Sequence, residues 1–179
     1  MINVEKIAVF DLDGTLWNVN SHLEILNQYY HTHFYTSLYA KMMFHIVPKQ
    51  LNRLIWCNYS KIPKEYVFQY RPCFRKSAIE LLNLYKKQGY MPLIISNAPY
   101  EIVKGASERL NADFLCTRPG EKSQVLNQIY TYKILFVCTD NMSDCDLLDC
   151  ADIQVVYPHG KRNYRFFKKR YPDIQFMEE

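Results

Sequence analysis

The sequence predicts an α/β protein with a parallel sheet and an inserted helical subdomain. Short, nearly continuous apolar runs alternate with longer amphipathic segments along most of the 179 residues, which is typical of parallel strands joined by crossover helices. A stretch at 17–71 breaks this rhythm, because it contains helical patterns and no strand pattern. At 49% hydrophobic and 22% charged residues, a chain of this length suits one domain with a modest insertion.

The apolar runs predict five strands. Most are apolar throughout, as expected of strands that are covered on both faces. We expect these strands at 6–11, 90–96, 113–117, 134–139 and 153–157. The amphipathic segments predict helices at 73–88, 99–110, 121–130, 144–150 and 161–170. Gly89 directly follows the first of these helices, where a glycine commonly ends a helix.

The inserted segment is too long to be a structureless loop inside a compact domain. We therefore predict a core formed by residues 1–16 and 72–179, and a separate helical subdomain formed by residues 17–71. We expect the aromatic side chains of the insertion to form its own core; the alternative is that they line a pocket for an aromatic or lipidic substrate. These aromatics are Tyr29, Tyr30, Phe34, Tyr35, Tyr39, Phe44, Trp56, Tyr59 and Tyr66.

Composition excludes several functional classes. The five glycines are never closer than fifteen residues, so neither a Walker phosphate loop nor a GxGxxG dinucleotide fingerprint is present. A net charge of +4 allows a small anionic partner and gives no reason to expect nucleic acid. Six cysteines without a CxxC pair predict buried, reduced thiols. Without a signal-like apolar segment or a membrane span, we expect a cytoplasmic protein.

The strongest local signal follows the first predicted strand, in the sequence Phe10-Asp11-Leu12-Asp13-Gly14-Thr15. The carboxyl ends of parallel strands are where ligands bind in an open sheet. Because Gly14 allows a sharp turn here, both carboxylates can face the same crevice.

Other polar residues follow neighbouring predicted strands. Asp140 and Asp144 come after the run that ends at Thr139, and such carboxylates suit a hard cation such as Mg²⁺. Four carboxylates in one crevice would repel each other unless a metal neutralised them. Ser96-Asn97 and Lys122 add a hydroxyl, an amide and an ammonium, which are groups that can hold the charged oxygens of a transferring phosphoryl group.

These residues, in this order, resemble the motifs of the haloacid dehalogenase superfamily. Asp11-Leu12-Asp13-Gly14-Thr15 is similar to its first motif, Ser96 to its second, Lys122 to its third, and Asp140 with Asp144 to its fourth. The segment from Arg71-Pro72 to the turn Ser96-Asn97-Ala98-Pro99 looks most like the phosphoserine-phosphatase-like branch. The resemblance implies a Rossmann-like three-layer α/β/α core, with a small helical cap between the first and second motifs.

The resemblance also implies a role for each matching residue. Asp11 would be the nucleophile that forms an aspartyl-phosphate, and Asp13 would be the general acid and base. Ser96 and Lys122 would hold the phosphoryl oxygens, and Asn97 is a further candidate for that contact. Mg²⁺ would be bound by Asp140 and Asp144, with the Asp11 carboxylate and the Asp13 backbone carbonyl.

The expected function is therefore Mg²⁺-dependent hydrolysis of a small phosphorylated metabolite. An acid at Asp13 favours an alcohol leaving group, since dehalogenases of this superfamily generally lack an aspartate there. A phosphomutase and a non-catalytic phosphate sensor remain as alternatives. The sequence does not indicate an oligomeric state.

Two departures from the family pattern concern specificity and the fourth motif. Phosphoserine phosphatases carry a glutamate nine residues after the nucleophile, where this chain has Asn20, so serine phosphate is a doubtful substrate. Thr139 stands where a glycine is usual. Trp17, Asn20 and Arg53 are the candidate substrate contacts from the cap region, and the basic segment 161–170 is expected to form a solvated surface.

Overall fold

The computed structural model describes residues 1–177 and divides into two compact units, one formed by residues 1–18 with the chain from 72 onward, the other by residues 19–71. The strands in chain order are β1 (Ile2–Asn3), β2 (Lys6–Phe10), β3 (Met91–Ser96), β4 (Asp113–Cys116), β5 (Tyr130–Thr131), β6 (Ile134–Thr139), β7 (Ile153–Val156) and β8 (Gln175–Phe176). The helices are α1 (Ser21–Tyr29), α2 (Leu38–Ile46), α3 (Pro48–Tyr59), α4 (Lys64–Gln69), α5 (Lys76–Lys87), α6 (Tyr100–Leu110), α7 (Lys122–Ile129), α8 (Cys145–Leu148) and α9 (Gly160–Arg170).

The first unit is built on a parallel sheet with the strand order β4-β3-β2-β6-β7-β8. Central strand β2 pairs with β3, where Phe10 lies opposite Ile94, and with β6, where Phe10 lies opposite Cys138. A second, two-stranded parallel sheet joins β1 to β5. The parallel sheet with its flanking helices confirms the predicted α/β fold.

Burial explains why these segments adopt their structures. Strands β2 and β6 are buried along almost their whole length, as expected for the centre of a covered parallel sheet. The helices bury residues at helical spacing, for example Ala78 and Leu82 on α5 and Asn163 and Phe167 on α9. On α7, Lys122 is spaced in the same way from Leu126, so a lysine occupies the inward face of a helix.

The structure differs from the predicted elements mainly at their ends. The helix predicted from 73 begins at Lys76, because the Arg75 backbone amide donates to Leu16 O at 2.8 Å instead of entering the helix. The helix predicted at 144–150 is a 3₁₀ turn at Met142–Asp144 followed by α8. The two-residue strands β1, β5 and β8 were not predicted, because two residues are too few to show periodicity.

The second unit consists of helices α1 to α4. The expectation that its aromatics form its core is wrong. Of the nine aromatics, only Tyr35 is buried, whereas the other buried apolar side chains are mostly aliphatic: Ile25, Leu26, Ala40, Leu51, Ile55, Ile62 and Val67. Tyrosine rings are instead partly buried, as in the edge-to-face pair of Tyr29 with Tyr66, because their hydroxyls need polar partners or water.

The cysteines also differ from expectation. All six are free thiols, yet Cys57, Cys73, Cys116 and Cys150 are exposed, and only Cys138 is fully buried. Burial raises the pKa of the Cys138 thiol well above its ordinary value. Among the described helices, none is long and apolar enough to cross a bilayer.

His22 on α1 makes the stability of the protein dependent on pH. Its ring stacks on Trp56, with centroids 5.4 Å apart, and burial lowers its pKa from 6.5 to about 4. An unfolded chain binds this proton more readily, so the stabilisation is complete above the unfolded pKa and is lost as the pH falls towards 4. Between about pH 7.5 and about pH 5, we expect His22 to account for about 2 kcal/mol of lost unfolding free energy.

Denaturant titrations at the two pH values test this prediction. His22→Phe keeps an aromatic ring on Trp56 and cannot titrate, so it should lose less stability on acidification than the wild type. His33→Phe, at an exposed histidine, is the control and should behave as the wild type. Equal losses in wild type and His22→Phe would contradict the prediction.

Candidate active site

The predicted site residues meet at the carboxyl edge of the large sheet. Asp11 directly follows β2, Ser96 ends β3 and Thr139 ends β6. Because β3 and β6 flank β2 on opposite sides, the chain connections diverge at this point, which is where open α/β sheets form their ligand crevice. The Asp11 backbone amide continues the sheet pattern by donating to Cys138 O at 2.9 Å.

A tight turn places the two aspartates of the first motif. Leu16 N donates to Asp11 O at 3.4 Å and Trp17 N donates to Leu12 O at 2.9 Å, so the chain folds back on itself directly after β2. Leu12 is fully buried between the two carboxylates, whereas Asp11 is nearly buried and Asp13 is partly exposed. The turn therefore leaves Asp13 in contact with solvent and encloses Asp11.

Arg75 holds this turn from the start of α5. Its guanidinium donates to Gly14 O at 3.0 Å, to Thr15 O at 3.1 Å and to Asn18 Oδ1 at 3.0 Å. The same guanidinium lies 4.3 Å from the ring centroid of Tyr157. The sequence analysis missed Arg75, because its position before a helix carries no motif. Its contacts fix the backbone of the motif that carries both aspartates.

Lys122 joins two of the predicted aspartates. Its Nζ donates to Asp11 Oδ1 at 2.9 Å and to Asp144 Oδ2 at 2.6 Å, and the side chain is only 1% exposed. Burial, together with repulsion from Asp144 and Asp140, raises the pKa of Asp11 to about 7 against the attraction of Lys122. Although burial favours a neutral amine, the two carboxylates raise the pKa of Lys122. Lys122 is therefore a buried cation shared between Asp11 and Asp144.

Thr139 contributes to the loop after β6. Its hydroxyl donates to Asp144 Oδ2 at 2.6 Å and accepts from Asn141 N at 3.1 Å. The Asn141 side chain accepts from Ser143 N at 3.0 Å and caps the 3₁₀ turn that ends at Asp144. The threonine at the usual glycine position thus orients Asp144, a role that the sequence analysis did not assign.

Asp140 is held by residues from three parts of the core. Thr15 Oγ1 donates to Asp140 Oδ1 at 3.0 Å, His159 Nε2 lies 2.9 Å from Asp140 Oδ2, and Asn163 Nδ2 donates to Asp140 O at 3.1 Å. The sequence analysis missed His159, although the rule that ligands collect after parallel strands could have found it just beyond β7. The contact from Asn163 places the first turn of α9 beside the site.

Ser96 and Asn97 lie at the end of β3. The Ser96 hydroxyl is buried and accepts from Ala98 N at 3.2 Å. The Asn97 amide lies 3.0 Å from Thr117 Oγ1, and with its nitrogen on that side it also reaches Thr117 O and Arg118 O. Asn97 therefore connects the ends of β3 and β4, and its phosphate contact stays a prediction.

The three candidate substrate contacts are divided between the chain's two units. Trp17 is fully buried in the first unit, where its ring stacks on Phe74 with centroids 5.8 Å apart; the boundary between the units falls after Asn18 instead of after residue 16. Asn20 is exposed at the start of α1, and Arg53 is exposed on α3. A substrate role for each of these residues stays a prediction.

The chemistry of the donors fits Mg²⁺. Asp140 and Asp144 both raise the pKa of Asp11, so three carboxylates share a region where Lys122 neutralises only part of their charge. Carboxylate oxygens are the ligands that Mg²⁺ prefers. Over residues 1–177, no three ligating side chains already converge as a metal cage; Lys122, Thr15 and His159 contact the carboxylates.

A family model identifies the class of this protein. The family model for haloacid dehalogenase-like hydrolases matches residues 8–149, which include the six motif residues Asp11, Asp13, Ser96, Lys122, Asp140 and Asp144. The chain therefore belongs to the haloacid dehalogenase-like hydrolase family, and the resemblance in its motifs is confirmed. No curated protein sequence matches the chain at a significant level.

Solved structures with the same fold include phosphoserine phosphatases. A phospho-aspartyl intermediate analogue of phosphoserine phosphatase has a TM-score of 0.72 at 17% identity, covering 98% of this chain and 95% of its own. Phosphoserine phosphatase from T. onnurineus has a TM-score of 0.62 at 16% identity, covering 98% and 90%. A Bordetella pertussis Tohama I protein of unknown function has a TM-score of 0.72 at 12% identity, covering 98% and 99%. At these identities the similarity shows a shared fold.

Gly14 is required where the first motif meets Asp140. Its φ is +78°, and a Cβ at this position would collide with the Asp140 carboxylate. We expect Gly14→Ala to displace Asp140 and to weaken Mg²⁺ binding on the order of tenfold or more, measured by isothermal titration. Gly89→Ala is the matched control, since Gly89 has φ +82° and nothing within 4 Å of the added Cβ. It should lose some stability and keep Mg²⁺ affinity; equal affinity in both variants would contradict the prediction.

Proposed function

We propose that this hydrolase is a Mg²⁺-dependent phosphomonoesterase that acts through an aspartyl-phosphate intermediate on a small phosphorylated metabolite. The observation that carries the proposal is the buried triad in which Lys122 bridges Asp11 and Asp144, at 2.9 Å and 2.6 Å. A carboxylate that attacks a phosphoryl group must be ionised and must approach an anion. The triad provides an aspartate beside a fixed positive charge.

Asp11 would attack the phosphorus atom. Burial raises its pKa to about 7, so it is only partly ionised near neutral pH unless additional positive charge is present. The Lys122 ammonium favours the ionised form and can also contact phosphoryl oxygens. Ser96, buried at the end of the neighbouring strand, would donate its hydroxyl to the same group.

Asp13 would move the proton. Asp13 follows Asp11 by two residues, with buried Leu12 between them in the sequence. Asp13 itself is partly exposed. In the first step it would protonate the leaving alkoxide, and in the second it would deprotonate the water that attacks the aspartyl-phosphate. A partly exposed carboxyl suits this task, because both the alcohol and the water must reach it.

The residues that would hold Mg²⁺ are Asp11, Asp13, Asp140 and Asp144. When bound, the ion supplies positive charge that screens the approach of a carboxylate to a phosphate. Thr15 and His159 orient Asp140, and Thr139 orients Asp144, so both carboxylates are held in place from outside the ligand set.

The substrate is proposed only as a class. Fold similarity to phosphoserine phosphatases does not carry their substrate to this chain, and Asn20 replaces the glutamate expected for an amino-acid substrate. In this proposal, the helical unit acts as the cap that selects the substrate, with Asn20 and Arg53 in that unit and Trp17 just before it in the chain as the residues to test.

Phosphate release from a panel of sugar, amino-acid, nucleotide and lipid-headgroup phosphates tests the proposal. Turnover that requires Mg²⁺ and stops on chelation is the expected result. Mass spectrometry of protein quenched during turnover should show a phosphate adduct on the peptide that contains Asp11. Turnover that survives chelation, or an adduct on another residue, would contradict the proposal. A requirement for a bisphosphate activator would indicate a phosphomutase instead.

A further inference from the structure

Helix α2 exposes a continuous apolar face. Leu38, Tyr39, Met42 and Ile46 are 76%, 60%, 53% and 68% exposed. At about 100° per residue, these four side chains lie within roughly one third of the helix circumference. Ala40 on the opposite side is buried and fixes the helix to its own unit. A contiguous apolar face of this kind marks a surface that binds something.

The excess positive charge of the chain lies in the unit that contains this helix. Residues 19–71 contain six basic and two acidic residues, a net charge of +4, whereas the rest of the chain carries sixteen of each sign. No acidic residue occurs between Glu24 and Glu65. The unit that exposes the apolar face therefore carries the entire excess charge of the protein.

Two exposed lysines lie close to the apolar face along the chain. Lys41 lies on α2 beside it, and Lys49 follows in the first turn of α3; both are exposed. Neither has an acidic residue within its own helix, since α2 and α3 contain none. Apolar side chains at the centre, a tyrosine at the edge and lysines beside them are the composition of a helix that lies in a membrane interface.

We propose that the exposed face of α2 docks on the surface of a bilayer that contains anionic lipid. Leu38, Met42 and Ile46 enter the headgroup region, and Lys41 and Lys49 contact lipid phosphates. The inference is independent of the reaction proposed above, because it uses no residue of the catalytic site.

The net positive charge of the helical unit and the apolar side chains of α2 together favour an anionic bilayer over two other binding partners. A second copy of the chain would bring two surfaces of charge +4 together, which opposes pairing through this face. Nucleic acid would neutralise the lysines, but Leu38, Met42 and Ile46 have no stacking or hydrogen-bonding role on it. An anionic bilayer can bury the apolar side chains and also attract the lysines.

Co-sedimentation with vesicles tests the proposal. The wild-type protein should sediment with vesicles of phosphatidylcholine mixed with phosphatidylglycerol, and should stay in solution with phosphatidylcholine alone. Met42→Gln with Ile46→Gln should weaken binding about tenfold or more. Lys41→Gln with Lys49→Gln should weaken it selectively at low salt. Leu84→Gln, at a 48% exposed leucine on α5, is the control and should bind as the wild type.

Several outcomes would overturn the proposal. These are no sedimentation of the wild type with anionic vesicles, equal sedimentation with both vesicle types, or unchanged binding of the Met42/Ile46 variant. A wild-type dimer in light scattering that the same variant dissociates would assign the face to self-association. Leu38→Gln is a second, single probe if the double variant unfolds, and phosphate release from a water-soluble ester shows whether each variant retains an intact catalytic site.

Discussion

Replacing Asp11 with asparagine should abolish phosphate release while leaving the protein folded and no less stable. The change removes the proposed nucleophile, and losses of this kind are on the order of 10⁴-fold or more. Asparagine has nearly the same shape, and its oxygen can still accept from Lys122, which keeps its pair with Asp144. Burial raises the pKa of Asp11 to about 7, so an ionised carboxylate at this position destabilises the folded protein. The neutral amide of asparagine removes this desolvation cost.

Phosphate release and denaturant unfolding, measured on the same preparation, test both halves of this prediction. Asp173→Asn makes the same chemical change at an exposed position near the end of the described chain, so it should match the wild type in both measurements. Asp13→Asn should slow formation and breakdown of the intermediate while largely keeping Mg²⁺ binding. Wild-type turnover in Asp11→Asn would exclude the proposed mechanism.

Replacing Lys122 with methionine should strongly lower the free energy of unfolding. The ammonium is buried between Asp11 and Asp144, and its removal leaves two buried carboxylates without their cation. Breaking a buried ion pair on one side typically costs about 3–5 kcal/mol. The loss should be larger near pH 8 than near pH 5, because burial raises the pKa of Asp11, and a carboxyl that is protonated in acid no longer repels Asp144.

Two further variants separate this effect from a general packing defect. Lys76→Met removes a 92% exposed lysine whose Nζ lies 3.9 Å from Glu80, and its unfolding free energy should change by less than about 1 kcal/mol. Lys122→Met combined with Asp11→Asn should recover part of the lost stability, because only one buried carboxylate remains. A double variant no more stable than Lys122→Met would contradict the electrostatic explanation.

Parts of the fold were predictable because they depend on local patterns. The central strands are recognisable from apolar runs such as Ile7–Phe10, since burial on both faces of a parallel sheet demands apolar residues at every position, whereas the edge strand β4 is only partly buried. The order of the motifs was likewise readable, because Asp11, Ser96 and Asp140 stand at the ends of strands and Lys122 begins the helix after β4. The small strands were not predictable, since β8 forms only by pairing Gln175 with Val155 from a distant segment.

The helical unit shows where composition misleads. Its many aromatics suggested an aromatic core, yet aliphatic residues such as Ile25 and Ile55 are buried, and Trp56 is exposed. Helical periodicity gives the angle between two side chains on one helix, but it does not say which side faces the other helices. For the same reason, the apolar face of α2 could not be distinguished from a buried one by sequence.

The sequence by itself determined the fold class, the family and the residue types that carry the chemistry, because strands, turns and motif spacing are properties of neighbouring residues. Only the tertiary structure decided the partners of those residues: Lys122 between Asp11 and Asp144, and Asp140 between Thr15 and His159. Two of these contacts, Asp11 with Lys122 and Thr15 with Asp140, join positions more than a hundred residues apart. Their charges interact strongly only after folding has removed them from water, so no local pattern records them.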